Sequence, residues 1–378
     1  MRPDLVVRGA YGIFFYGGQF DNINILQLNP PTAGSLTITN PALNPVATIQ
    51  EPVPASLYPT NPYYNAVTLN KDRTHPDLYL QNWNLSVSKQ FGSNVVDLAY
   101  VGVKGTHIDT SIKNYNSPDP APGDIQSRRP YPTFARIRYP DFEGASSYNA
   151  LQAHFEHRLT HNLSFTAAYT YAHLLDNSAL DTNNGGCDCQ DPRHLHEWAS
   201  GLTDQRHNLA IGYVWQLPGV GKDNFASRLT NGWSFEGLLL FASGAPYDVE
   251  QSTDSQNTDS TWEKPTLVPG QKLTVSHRST SEWFNTAAFT PSVFVYGDSP
   301  RNPLVSPATR TLNLTLMKQF HMWYAEAQRL EFRFEAFNAF NTPQFAAPDA
   351  FVGDGTFGQV TSTQLDNREL QLAVKYFF

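Results

Sequence analysis

Charge is scarce in this chain. Of its 378 residues only 16% are Asp, Glu, Lys or Arg, and the balance is acidic at -8. A nucleic-acid binder needs a basic stripe to neutralise phosphates, so that class is excluded. Cysteine is almost missing: the two present lie in one triplet, Cys187-Asp-Cys189, which leaves no disulfide framework. Long apolar runs are missing as well. The longest surrounds Leu238-Leu-Leu-Phe-Ala242 and falls far short of the roughly 20 residues that a membrane-crossing helix requires. The opening residues, Met1-Arg-Pro-Asp-Leu5, lack the charged-then-apolar plan of a secretory leader. What the chain has instead is 13% aromatic residues, 27 prolines and 24 glycines, a composition that suits β-structure joined by long polar loops.

The last residues carry the clearest pattern. Leu370, Leu372, Val374, Tyr376 and Phe378 share one face of an extended strand, and Glu369, Gln371, Ala373 and Lys375 share the other. Nine more segments read as strands: Leu5 to Tyr16, with imperfect alternation, Trp83 to Phe91, Val96 to Tyr100, Leu151 to Leu159, Leu163 to Tyr171, Leu209 to Leu217, Trp233 to Phe241, Leu312 to Phe320 and Leu330 to Phe334. Gly92-Ser-Asn94, Thr160-His-Asn162 and a short connection with Pro218-Gly219 join some of them. Long Pro-, Asn- or Gly-bearing loops occupy about 17–81, 105–146, 176–204 and 243–307, and another passes through Thr342-Pro343.

The connections alternate long and short along the whole chain, a parity that a soluble sandwich has no reason to obey. Short periplasmic turns and long extracellular loops are the plan of an outer-membrane barrel, and a lipid-facing wall needs one apolar face per strand. The expected fold is therefore all-β: an antiparallel transmembrane barrel architecture of about ten or more strands, with long extracellular loops and short periplasmic turns. Lys89, His157 and Lys318 interrupt the apolar face only near the short turns, where long side chains can reach the interface.

Candidate chemistry is thin. Cys187, Cys189, Asp191, His194 and His196 are metal-ligand types within ten residues, but one-residue cysteine spacing suits a tetrahedral site poorly, and an extracellular loop is expected. Glu156, Arg158, Glu331, Arg333 and Glu335 fall on inward faces, as a charge ladder lining a wet lumen. Asp204, Arg206 and His207 read as a rim ion pair where a loop meets a strand, since no Gly-x-Ser-x-Gly element accompanies them. Tyr169, Tyr171, Tyr213, Trp215, Trp233 and Tyr376 fit interfacial girdles. No catalytic, cofactor or metal site is expected, and the ligand-binding residues are not legible.

An ordered set of motifs carries a family likeness. It comprises Arg8-Gly-Ala-Tyr-Gly-Ile-Phe-Phe15, Gln81-Asn-Trp-Asn-Leu-Ser-Val87, Val95-Val-Asp-Leu-Ala-Tyr-Val-Gly102, Gly105-Thr-His107 and Ser147-Tyr-Asn-Ala-Leu-Gln152. It continues through Ala168-Tyr-Thr-Tyr171, Asp204-Gln-Arg-His207, Gly232-Trp233, Ser243-Gly-Ala-Pro-Tyr247, Trp283-Phe-Asn285 and Phe332-Arg-Phe-Glu-Ala-Phe-Asn-Ala-Phe-Asn341. Over nearly its whole length the chain resembles the C-terminal barrel of TonB-dependent outer-membrane receptors, most of all the Oar-like branch, whose members carry a carboxypeptidase-regulatory-like domain. The resemblance implies a barrel of about 22 strands around a plug. Residues 1–378 would then be the last part of that barrel, from a fragment or a truncated gene, without plug or N-terminal domains. It further implies a Gram-negative outer-membrane location, no enzymatic activity and contact with outer-membrane lipid. Barrel-assembly machinery would engage the C-terminal strand, and the TonB system would act only through the missing plug region. The seam at Leu370 to Phe378 would be unsealed, or closed by non-native pairing with Leu5 to Tyr16. The rivals are a soluble secreted glycan-binding β-sandwich or propeller and a secreted β-rich hydrolase.

Overall fold

A computed structural model describes residues 4–16, 50, 66–69, 76–108, 112–140, 142–177, 190–191, 197–219, 225–260, 263–322 and 325–378. Ten strands form one sheet: β1 (Leu5–Tyr16), β2 (Leu78–Phe91), β3 (Asn94–Ile108), β4 (Gly144–Thr160), β5 (Leu163–Asp176), β6 (His207–Gln216), β7 (Trp233–Ala242), β8 (Thr309–Met322), β9 (Ala325–Phe337) and β10 (Glu369–Phe377). Each pairs antiparallel with the next in chain order. A two-residue strand, Ala199–Ser200, adds to the far end of β5. None of the described helices is long and apolar enough to cross a membrane, so any crossing is made by strands.

Pairing converts ten separate alternations into two continuous faces. Leu85 lies opposite Tyr100, Tyr100 opposite Leu151, Leu151 opposite Tyr171, and Tyr171 opposite His207. One residue along each strand, the neighbouring row reads Ser86, Ala99, Gln152, Thr170 and Asn208. The apolar face is left open: Leu85, Leu98, Leu151, Phe334 and Val374 are exposed, and Leu372 is 82% exposed. A soluble protein rarely tolerates so continuous an apolar surface, whereas lipid requires it.

Glycine shapes this face at two places. A Cβ on Gly102 would collide with the Trp83 indole, and one on Gly237 with the Tyr213 ring. Each aromatic lies across the glycine paired with it on the next strand, packing over the bare backbone. Tyr213 packs over Gly237, two residues further from the turn end than Trp215.

Short turns gather at one end of the sheet. Gly92 alone takes positive φ, +57°, between β2 and β3, whereas His161 and Asn162 take +50° and +66° between β4 and β5; only the second turn has the two positive φ values of type I′, which suits strand twist. The connection from β6 to β7 departs from expectation. It holds a helix, Phe225–Thr230, which follows the Pro218-Gly219 stretch. Lys318 donates from the apolar face to the carbonyls of Arg228 (2.8 Å) and Asn231 at this helix. Lys89 pairs with Asp4, and His157 bonds Asn94 and Thr160, both at 2.7 Å. These three interruptions of the apolar face are therefore satisfied at the turn end.

Strand lengths also exceed the sequence reading, since β3 runs to Ile108 and β4 starts at Gly144. Among the described residues no ladder joins β1 to β10, so the sheet has two unpaired edges. Within these residues the closing strand does not pair with Leu5–Tyr16. The apolar face sets one clear expectation. In a bilayer Leu98→Arg should cost about 2–4 kcal/mol, and Ala99→Arg, on the other face of β3, less than about 1 kcal/mol. Reversible denaturation in lipid vesicles reads both.

Candidate functional site

At the end opposite the short turns, the connections fold into a structured cover. Residues 243–308 and 338–368 share a small core of Val249, Phe284, Ala288, Phe289, Leu304 and Val352. Phe284, 1% exposed, meets Phe289 edge-on at 5.8 Å and Phe357 at 5.2 Å. Burying one such ring contributes about 1.5–3 kcal/mol, enough to order a loop that composition alone presents as polar. Short ladders complete it: Pro246–Tyr247 with Leu304–Val305, Thr266–Leu267 with Phe289–Thr290, and Glu250–Gln251 parallel to Phe351–Val352.

Ion pairs join the cover to its surroundings. Arg301 bridges to Asp176 at the end of β5 (2.6 Å), and Asn302 donates to the Ser200 carbonyl (2.9 Å). Arg129 and Arg136, from the connection after β3, both reach Asp259 at 2.6 Å. Burial opposes charge on Asp259, but the hydrogen bonds from Arg136 and then Arg129 outweigh it and hold the carboxyl below its ordinary range. Ser117 Oγ also donates to the Thr258 carbonyl (2.5 Å), and Asn257 Nδ2 to that of Ala121 (2.8 Å).

Beneath this clamp lies a buried carboxyl. Glu263 is 3% exposed, and its Oε2 accepts from Gln251 Nε2 (2.9 Å) and the Gln256 backbone (3.1 Å). Burial first, and then a hydrogen bond and like charge from Asp254, push its pKa up to about 8. Lys264, equally buried, pairs with Glu197.

The polar face of the sheet carries the expected charge ladder. Arg333 meets Glu331 at 2.6 Å and Glu335 at 3.6 Å, and Arg158 meets Glu156 at 3.4 Å. An open groove of about 640 Å³ is lined in part by Glu156, Arg158, Thr166, Gly212, Glu236 and Asn313. Asp204 and Arg206 form the anticipated rim pair at 3.0 Å. His207 does not join them. It turns to the apolar face, where it bonds the Tyr169 hydroxyl at 2.8 Å and packs beside Tyr171. Tyr169 and Tyr171 lie toward the loop end, and Trp215, Trp233 and Tyr376 toward the turn end. Cys187, Cys189, His194 and His196 lie outside the described residues. Among those described, no group of three or more His, Cys, Asp or Glu could hold a metal ion.

The sequence matches the outer membrane beta barrel domain family over residues 1–371. The chain belongs to that family. Its place is the outer membrane of a Gram-negative cell, with the apolar face in lipid. The soluble alternatives are set aside. No curated protein matches the chain. Among solved structures, the outer membrane transporter YddB from Escherichia coli aligns over the whole chain with TM-score 0.51 and 8% identity, and the chain spans 39% of its length. FpvA of P. aeruginosa, solved with a heterologous pyoverdine and iron, aligns over the whole chain at 0.44 and 9%, with 31% of its own length spanned. The likeness to YddB is one of fold.

Sequence reasoning missed the cover core, the Asp259 clamp and Arg310, whose guanidinium sits over the Phe241 ring (5.9 Å) at the loop end of the apolar face. The clamp generates a prediction. Asp259→Asn should destabilise the cover by about 1–3 kcal/mol. Hydrogen exchange should then accelerate in 112–140 while β2 to β5 keep their protection.

Proposed function

We propose that this chain is the C-terminal wall and outer-loop portion of a TonB-dependent receptor of the Oar-like branch, in which the cover contacts ligand and the polar face encloses a plug. The observation that carries the reading is the one-sided cover. Connections that need only link neighbouring strands instead build a separate core at the loop end, tied to β5 through Asp176–Arg301. A barrel needing only a wall would close those hairpins with short turns, and long structured loops are where binding residues concentrate. The ordered motifs from Arg8-Gly-Ala-Tyr11 to Phe332-Arg-Phe-Glu335 support the branch assignment, and the fold likeness to YddB supports a transporter-type wall.

In this reading β10, with Phe378 at its end, is the strand that assembly machinery recognises. Coupling to TonB belongs to a plug region supplied outside residues 1–378. The role is uptake rather than catalysis.

Two measurements test it. In a Cys187→Ser, Cys189→Ser background, a membrane-impermeant maleimide should label Tyr131→Cys on intact cells, and Ser93→Cys only after the outer membrane is opened. Labelling of both positions on intact cells would contradict the orientation. A strain lacking the gene, screened with iron chelates, cobalamin, oligosaccharides and peptides, should lose one uptake activity that collapses when the proton-motive force is dissipated. Retention of every energised uptake would overturn the receptor reading.

A further inference from the structure

The apolar face of the sheet carries long basic side chains at both of its ends. Those at the turn end are engaged within the protein: Lys89 with Asp4, and Lys318 with the carbonyls of Arg228 and Asn231. At the loop end the same face holds Lys104, Arg310 and Arg368, all exposed. Lys104 continues the series Leu98, Tyr100, Gly102 along β3. Arg310 continues Leu316, Leu314, Leu312 along β8, and Arg368 continues Leu372, Leu370 to the start of β10. Among the described residues none of these three side chains has a hydrogen bond or an ion pair. Asp366 and Glu369, the acidic neighbours of Arg368 in sequence, pair with neither arginine.

The two arginines are held as one unit. Arg310 donates its backbone N–H to Gln344 Oε1 and accepts at its carbonyl from Gln344 Nε2, both at 2.6 Å, and Gln344 is 1% exposed. Arg368 donates its backbone N–H to Asn341 Oδ1 at 3.0 Å. Asn341 and Gln344 belong to the one connection between β9 and β10, which therefore fixes both backbones. The Arg310 guanidinium rests over the Phe241 ring, a contact that leaves its N–H groups open. Only β9 separates the two strands, so the arginines stand about 10 Å apart across the sheet. Phe340, 75% exposed, rises from the same connection.

An unpaired guanidinium at the rim of a lipid-facing wall meets the headgroups of the adjoining leaflet. Guanidinium binds phosphate bidentately, and a pair already fixed loses little freedom on engaging two phosphates. We propose that Arg310 and Arg368 form a two-point site for a diphosphorylated glycolipid of the leaflet around the loop end. Its phosphates sit on the two guanidinium groups, and its acyl chains lie along Leu312, Leu314 and Leu370. A lipid with a single phosphate reaches one arginine, whereas a headgroup with a phosphate at each end of a disaccharide spans both. The turn-end cations, bonded to the protein itself, leave no such site in the opposite leaflet. That this leaflet is the outer one rests on the orientation proposed above, which maleimide labelling tests; the site itself is tested by lipid binding, so the two fail separately.

Native mass spectrometry of the full chain in detergent, titrated with diphosphorylated lipid A, reads the affinity. Arg310→Gln and Arg368→Gln should each weaken binding about fivefold, and the double variant about 25-fold. Lys104→Gln, which removes a lone cation from the same face, should leave the affinity unchanged. Fully dephosphorylated lipid A should bind the wild-type chain as weakly as the double variant binds the diphosphorylated form, a comparison that needs no variant to fold. Equal affinity of the wild-type chain for the dephosphorylated lipid, or for phosphatidylglycerol with its single phosphate, would overturn the two-point site. Undiminished binding by the double variant would do the same. Displacement of the lipid by millimolar inorganic phosphate would also overturn it, by identifying a site for free anions in place of a lipid.

Discussion

Hydrocarbon offers backbone amides no hydrogen bonds, and the sheet answers that single constraint. Every N–H and C=O inside the membrane must find its partner within the protein. An antiparallel ladder of ten strands does this between neighbours, and the pleat then sends alternate side chains to lipid and to water. The open apolar face, the partners found by Lys89, His157 and Lys318 at the turn end, and the rings lying over Gly102 and Gly237 all follow from it. The two unpaired edges are where the constraint is unmet within the described residues. Strands beyond these ten, from the same receptor, are the partners that the proposed function assigns to them.

Outside the membrane the rules change. Water satisfies loop backbones, so order there must come from local burial. The cover obtains it from Phe284, Phe289, Phe357 and their neighbours, and from charges pinned between separate connections.

Much of the wall was legible in the sequence because period-two alternation survives in β2, β4, β7 and β10. Legibility faded where side chains are small or polar. Gly105, Ser146 and Ser147 gave no apolar signal, so β3 and β4 were read too short at their loop ends. The helix Phe225–Thr230 hid in a connection whose Pro218-Gly219 looked like a simple break. Asp204 and Arg206 were recognisable as a pair because they lie two residues apart, but His207 begins β6 and so points to the other face. The cover core was invisible. Val249, Phe284, Leu304 and Val352 are distant in sequence and obey no period.

Spin labels placed one at a time along β4, from Leu151 to Glu156 in a lipid bilayer, test the central claim most directly. Oxygen accessibility should peak at Leu151, Ala153 and Phe155, and access to a water-soluble nickel chelate at Gln152, His154 and Glu156, so that the two profiles alternate out of phase. Profiles without a two-residue period, or with the chelate reaching Leu151, Ala153 and Phe155, would contradict a strand that spans the membrane with this face in lipid.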